Sequence, residues 1–324
     1  MLLSNTMRRT LLCGIGGMVL SSAALHSAPL VIEGKDGWLF PIWESASDID
    51  KPGIDAHVAA IAFLKEQLAT RKIVLMTMVV PMKASFYPDR LPAAKPVSAE
   101  VMQRYAYVMT QLQAAGILTF DDLSVLRATE KAPATAFFRT DYHWTAQGAE
   151  ASADAAAELI RKEVRFETAP AGGSKLGEWV NVRRYGDLAT RFMTAEQRTT
   201  LGRDVFSVRA PPKEKQSLLD EEPAEIHVVG NSFVQPYLGF PQKLSQNLNR
   251  PVSLTWKPGN VGPWVTVLQY LESDDYVQTK PRVVFLQLNE PRMYAGPDAK
   301  DAWDAESIMT YAAWRDRVKA AVAK

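Results

Sequence analysis

Ile226-His227-Val228-Val229-Gly230-Asn231-Ser232-Phe233 is the stretch on which the architecture turns. A mostly apolar, β-branched run meets a glycine, and a helical apolar pattern follows from Phe233 to Leu248. Strand, tight turn and helix in that order form the repeating unit of a parallel sheet. Working outward, four further runs read as strands buried on both faces: Ile73–Val80, Ile117–Phe120, Val252–Trp256 and Val283–Leu288. Helical patterns lie between most of them. Ile54–Thr70 sets Ile54, Val58, Ile61, Leu64 and Leu68 at helical spacing, and Ser98–Ala115 behaves likewise before Gly116. Thr145–Lys162 is alanine-rich, and Val261–Leu271 and Ala305–Val322 complete the set. The expectation is an α/β fold: an open, mostly parallel five-stranded sheet with helices on both faces. Residues from about 164 to 223 break the rhythm with Gly172-Gly173, Pro211-Pro212 and mixed charge. A structureless loop of that length does not suit a compact domain. It is read as an irregular or β insertion walling one side of a substrate groove.

The 324 residues are 47% apolar and 23% charged, with a formal net charge of +1. That balance gives no argument for nucleic acid as a partner. Arg8-Arg9 precede an apolar, small-residue stretch from Leu11 to Leu25, followed by Ser27-Ala28-Pro29. Residues 1–28 therefore read as a signal peptide or an uncleaved N-terminal anchor, which places residues 29–324 in the periplasm. Cleavage after Ala24 suits the small residues Ser22 and Ala24; the twin arginines are a weak alternative signal, and Met7 is an alternative start. The one cysteine, Cys13, lies inside that segment. A mature chain would have neither disulfides nor a thiolate nucleophile.

Two short motifs carry chemistry. Ser232 falls at the carboxyl end of a strand and the start of a helical pattern, where open α/β sheets bind ligands and free N–H groups favour an oxyanion. Read alone, it is an N-cap as readily as a nucleophile. Arg139-Thr140-Asp141-Tyr142-His143-Trp144-Thr145 puts a carboxylate two residues before a histidine, directly ahead of a helix. A serine nucleophile needs such a base with its orienting acid; a helix cap beside a surface histidine fits the same residues. Of the other histidines, His26 is in the export segment, His57 reads as solvated on an amphipathic helix, and His227 reads as a satisfied strand residue. With so few histidines and no HExxH, a metal site is not expected.

The ordered set of motifs resembles the AlgX/AlgJ group of alginate O-acetyltransferases, which have an SGNH-hydrolase-like domain. Gly34-Lys35-Asp36-Gly37-Trp38-Leu39-Phe40 is similar to the family's opening segment. Val80-Pro81-Met82-Lys83, with Tyr87-Pro88 and Leu91-Pro92, is similar to the segment after its first long strand. Asp141-Tyr142-His143-Trp144 stands where the family has Asp-Thr-His-Trp, and Gly230-Asn231-Ser232-Phe233 where it has Gly-Asp-Ser-Phe.

The resemblance implies a periplasmic polysaccharide O-acetyltransferase with Ser232 as nucleophile, His143 as base and Asp141 as its orienting partner. Tyr142 in place of Thr would alter a wall contact, and Asn231 in place of Asp removes a negative charge. In extent the chain is closer to AlgJ, without room for a carbohydrate-binding module after its last strand. No cofactor is expected: the acetyl donor would come from a partner or a small carrier. A membrane-bound O-acyltransferase and exopolysaccharide synthesis or export proteins are the implied partners. Gly259, Asn260 and Gly262 follow a strand and are read as oxyanion donors or as a plain turn. Arg292, with Glu290, and Lys83 are read as ligand contacts or loop-stabilising charges. Trp144, Trp256 and Trp264 are read as sugar-stacking surface or as core. An acetylesterase using water as acceptor and a non-catalytic polysaccharide-binding subunit are the rival readings.

Overall fold

Four of the apolar runs pair side by side in parallel, each sending alternate side chains to opposite faces. The computed structural model describes residues 31–131, 135–167, 169, 172–212 and 224–324. The export segment, with Cys13 and His26, lies outside them. Numbered along the chain, the strands are Val31–Glu33 (β1), Leu39–Pro41 (β2), Val74–Val80 (β3), Trp179–Arg184 (β4), Asp204–Arg209 (β5), Ile226–Gly230 (β6), Val252–Trp256 (β7) and Val283–Asn289 (β8). The central sheet has the order β3-β8-β6-β7. The fifth run joins it at the β3 edge through one parallel bridge, Met76 to Leu118, with Thr77 N–H donating to Leu118 O at 2.8 Å. It stays that short because Asp121 already caps the next helix by accepting from Ser124 N–H.

Period-two alternation builds two cores. Met76, Met78, Val80, Val228 and Phe285 face the helices Ala146–Glu163 and Phe240–Leu248. Leu75, Val79, Val229, Val284 and Leu286 face Lys51–Ala69, Arg104–Ala114, Gly262–Leu271 and Tyr311–Val322. Buried Ala149, Ala153, Ala156 and Ala157 let the first two helices approach each other closely. Among the described residues no helix is long and apolar enough to cross a membrane.

Helix boundaries follow caps more than periodicity. Asp50 accepts from Gly53 N–H at 2.9 Å, so the first long helix starts at Lys51, ahead of its apolar pattern. Thr310 caps the last helix, leaving only a 3-10 turn at Ala305–Ser307. The continuous helix expected from Phe233 is instead two 3-10 turns, Ser232–Val234 and Pro236–Leu238, followed by Phe240–Leu248. Pro236 withholds an N–H, and Gly239 sits at φ 88, which ends a helix rather than continuing one.

Between β4 and β5, which pair antiparallel, lie the helices Asp187–Phe192 and Ala195–Leu201. Phe206 of β5 stacks on Phe138 with ring centroids 3.9 Å apart, fastening this unit to the loop before the Ala146–Glu163 helix.

Candidate active site

The carboxyl ends of β6, β7 and β8 share one edge of the sheet, and the chemistry-bearing residues collect there. Gly230 ends β6 where space is short. A Cβ on it would come within 2.7 Å of Val234 and 2.8 Å of Gln287 Oε1. Asn231 then accepts from Phe233 N–H at 3.0 Å and bends the chain so that Ser232 opens a 3-10 turn. That turn is too short for a helix dipole of any size. Among the described residues no acceptor engages the Ser232 N–H, so it is available to a ligand.

The opposite wall is a tight hairpin. Phe137 bridges Trp144, Phe138 N–H donates to His143 O, and Thr145 N–H donates to Ala136 O. Thr145 also caps the following helix by accepting from Gly148 N–H at 3.1 Å. The hairpin presents Asp141 and His143 toward Ser232. His143 Nδ1 lies 2.7 Å from Asp141 Oδ1, and Ser232 Oγ lies 2.8 Å from His143 Nε2. Burial pushes the Asp141 pKa upward. Hydrogen bonds from the His143 ring, its charge, and the N–H groups of His143 and Asp187 outweigh that and hold it at about 2. Asp141 is therefore a fixed anion, and Ser232, His143 and Asp141 form a continuous hydrogen-bonded line suited to deprotonating a hydroxyl.

The unit between β4 and β5 supplies the outside of this line. Gly186 N–H donates to Thr140 Oγ1 at 3.1 Å, Asp187 N–H to Asp141 Oδ2 at 2.9 Å, and Thr140 N–H to Asp204 Oδ2 at 3.0 Å. A Cβ at Gly186 would fall 2.5 Å from the Thr140 carbonyl and the Asp141 nitrogen, so only glycine lets the two segments touch. Arg184, Asp187, Leu188, Arg191 and Phe192 line one side of a cleft of about 620 Å³ above Ser232. Trp43, Tyr142, Asn289 and Trp256 line other parts of it.

Several predicted contacts have other work. Lys83 is not a ligand contact: it is 1% exposed. Its Nζ donates to the carbonyls of Leu39, Phe138, Arg139 and Asp141 at 2.7–3.1 Å. Burial pulls its pKa down to about 7, with Asp141 and Asp204 pushing back. Trp144 is fully buried, and its Nε1–H donates to Phe233 O, tying the histidine hairpin to the serine turn. Trp264 is also core, donating to Ala295 O; only Trp256 of the three tryptophans reaches the cleft. Gly262 does not line the triad cleft itself but a smaller cavity adjoining it, beside His57 and Trp303. Gly259, Asn260 and Arg292 line the cleft, but the Asn260 side-chain amide is tied to Asp304 Oδ2 at 2.9 Å. Glu290 pairs with buried Arg104 at 3.0 Å and accepts from Met82 N–H, which holds the loop.

The other described histidines stand apart. His57 is buried, contrary to its solvated reading. Its Nδ1 meets Ala295 O at 3.1 Å, and burial pushes its pKa down to about 3. His227 lies between Ser253 and Thr255 and is likewise pushed down to about 3 by burial. Asp141, His143 and Asp187 are near enough together to be considered for a metal. Yet the His143 Nδ1 and both Asp141 oxygens are committed to one another and to backbone N–H groups, a poor set for a cation.

Sequence reading missed a polar network behind the serine. Asn231 Nδ2 donates to Asn289 Oδ1, Gln287 Oε1 accepts from Asn231 N–H, and Asn289 Nδ2 donates to the Tyr142 hydroxyl. Asn231 is thus a donor in this network, a part an aspartate could not play. Two amides at alternate positions, Gln287 and Asn289, at the end of an apolar strand were the available signal. Tyr142 hydrogen-bonds in turn to Glu44, a loop residue nothing in the sequence marked.

Burial raises the Glu44 pKa to about 7 against the opposing Tyr142 hydrogen bond and Arg104 charge. Between pH ~4.5 and ~7 the folded chain holds a proton that the unfolded chain has released. The Glu44 contribution to stability is therefore full on the acid side and lost as pH rises through about 7. Unfolding free energies from urea titrations across this range should fall more for the native chain than for Glu44→Gln, by up to about 3 kcal/mol. Equal slopes would mean that Glu44 does not titrate there.

The family model described as "SGNH hydrolase-like domain, acetyltransferase AlgX" matches residues 31–290. A probable alginate O-acetylase AlgJ of Pseudomonas fluorescens is 26% identical over 290 residues, covering 85% of this chain and 71% of the relative. Its counterpart in Pseudomonas syringae pv. tomato is 28% identical over 300 residues, covering 86% and 73%. The solved O-acetyltransferase domain of Pseudomonas putida AlgJ superposes with a TM-score of 0.73 at 24% identity, covering 90% of this chain and 99% of that one. Pseudomonas aeruginosa AlgX superposes with a TM-score of 0.61 at 18% identity, covering 82% of this chain and 66% of that one.

Proposed function

The chain belongs to the family of SGNH hydrolase-like acetyltransferases that includes AlgX, and from that membership we propose that it acetylates hydroxyl groups of an exopolysaccharide through an acetyl-Ser232 intermediate. The observation that carries this reading is the 2.7 Å and 2.8 Å hydrogen-bonded line from Asp141 through His143 to Ser232. Ser232 gives its proton to His143 Nε2 as Oγ attacks the acetyl carbonyl carbon of the donor. The bond from that carbon to the leaving group breaks, and the leaving group takes the proton from His143. In the second half, an acceptor hydroxyl gives its proton to His143 and its oxygen attacks the acetyl carbon. Ser232 Oγ departs and recovers the proton. Asp141 stays ionised throughout and offsets the charge on the imidazolium. The free Ser232 N–H stabilises the oxyanion in both halves.

The acceptor is placed in the cleft of about 620 Å³, whose aromatic and arginine-bearing walls suit a hydroxylated, extended chain. Alginate is the polymer printed in the relatives' names; here it stands for the polysaccharide class. The twin-arginine and apolar N-terminus supports export, with residues 29–324 working as one acetyltransferase domain in the periplasm. A membrane-bound O-acyltransferase is the partner that would deliver acetyl groups there. No bound cofactor takes part in this scheme.

An aryl acetate supplied as donor should leave one acetyl group on the Ser232 peptide, read by mass spectrometry. Adding a polysaccharide acceptor should discharge it with acetyl incorporated into the polymer. Acetyl on no residue would sink the serine mechanism. Discharge to water under every acceptor tried would make the protein an esterase instead.

A further inference from the structure

His143 faces two carboxylates, of which the mechanism above uses one. Asp187 opens the short Asp187–Phe192 helix, and its backbone N–H already holds Asp141 Oδ2 at 2.9 Å. Its own Oδ2 stands 3.9 Å from His143 Nδ1, with its side chain 38% exposed in the cleft wall. At that distance it is no hydrogen-bond partner; it acts by charge. The charged groups facing it are Asp141 and His143 from the hairpin and Arg191 and Arg184 from its own unit, with Arg191 Nη2 also at 3.9 Å. Burial and the Asp141 charge raise the Asp187 pKa, and His143, Arg191 and Arg184 oppose them.

We propose that Asp187 is a second positioning carboxylate, supplied by the unit between β4 and β5, that stabilises the His143 imidazolium each time Ser232 or the acceptor gives up its proton. The inference rests on His143 serving as the base for Ser232. Asp141 fixes the ring through its hydrogen bond. Asp187 adds negative charge from the cleft side, where solvent and acceptor have access, so its effect depends on ionic strength in a way that the buried Asp141 contact does not.

The backbone N–H bond to Asp141 survives any side-chain replacement except proline, so substitutions isolate the carboxylate. The test compares the native chain with Asp187→Asn, Asp187→Glu and Ser232→Ala, measuring aryl acetate turnover against pH at low and high salt. Asp187→Asn is expected to lower kcat roughly five- to tenfold with KM little changed. Its acid limb should move to lower pH by roughly half a unit or more, less at high salt. Asp187→Glu should recover most of the loss. An Asp187→Asn profile that coincides with the native one, while Ser232→Ala is inactive, overturns the proposal and leaves the triad standing. A loss that Asp187→Glu does not relieve, with no movement of the acid limb, also overturns it in favour of a packing role. An active Ser232→Ala overturns both readings.

Discussion

Ser232→Ala should lower turnover of an aryl acetate by about ten-thousand-fold or more while leaving the fold unchanged. The side chain makes one hydrogen bond, to His143 Nε2, and His143 lines the cleft, where solvent can take the place of the lost hydroxyl. Circular dichroism and the urea midpoint should match the native chain. His143→Ala should lose activity to a similar extent, and the double variant should be little worse than either single one. Groups that act as a unit are not additive. Double-variant losses that multiply would mean that Ser232 and His143 work separately.

Lys83→Met should cost about 3 kcal/mol or more of stability and impair turnover as well. The ammonium serves four carbonyls from two segments, Leu39 in β2 and Phe138, Arg139 and Asp141 in the histidine hairpin. Methionine fills the space and abandons all four; Arg139 O keeps the Leu39 N–H at 3.0 Å, and each of the other buried carbonyls left unpaired costs about 1–3 kcal/mol before the loop relaxes. Relaxation would shift the Asp141 backbone and with it the angle at which His143 meets Ser232. A lowered urea midpoint with reduced kcat, measured where the variant is still folded, is the expected pair of results. A stable and fully active Lys83→Met would show that the hairpin is held by its other contacts, Trp144 among them.

The sheet was legible because buried parallel strands are apolar on both faces, and the runs ending at Val80, Val229, Trp256 and Leu288 fall within a residue of the strands formed. Ser232 was legible as a strand-end residue, but its grouping with His143 and Asp141 came from the scarcity of histidines and the ordered resemblance, since each residue alone also reads as a cap or a surface group. Contacts made across the fold were not legible. Lys83, His57 and Trp264 are polar or amphipathic side chains whose partners are backbone carbonyls, which leave no mark in a sequence. Asp187 lay in a stretch without periodicity, and Glu44 in a short loop. Their importance comes from what Thr140 and Tyr142 bring beside them. The turn after Ser232 failed for a local reason, since Pro236 and Gly239 outweigh the apolar spacing around them.

The docking of Gly186 and Asp187 on Thr140 and Asp141 has a consequence for how such proteins diversify. The cleft wall and the segment that holds Asp141 are one piece of chain, so under the proposed mechanism a change of polymer would not be inherited as an independent cassette. Transplanting residues 179–209 between two relatives would require residues 138–145 to travel with them. A recombinant that separates the two would keep its serine and its sheet yet lose the alignment of its histidine.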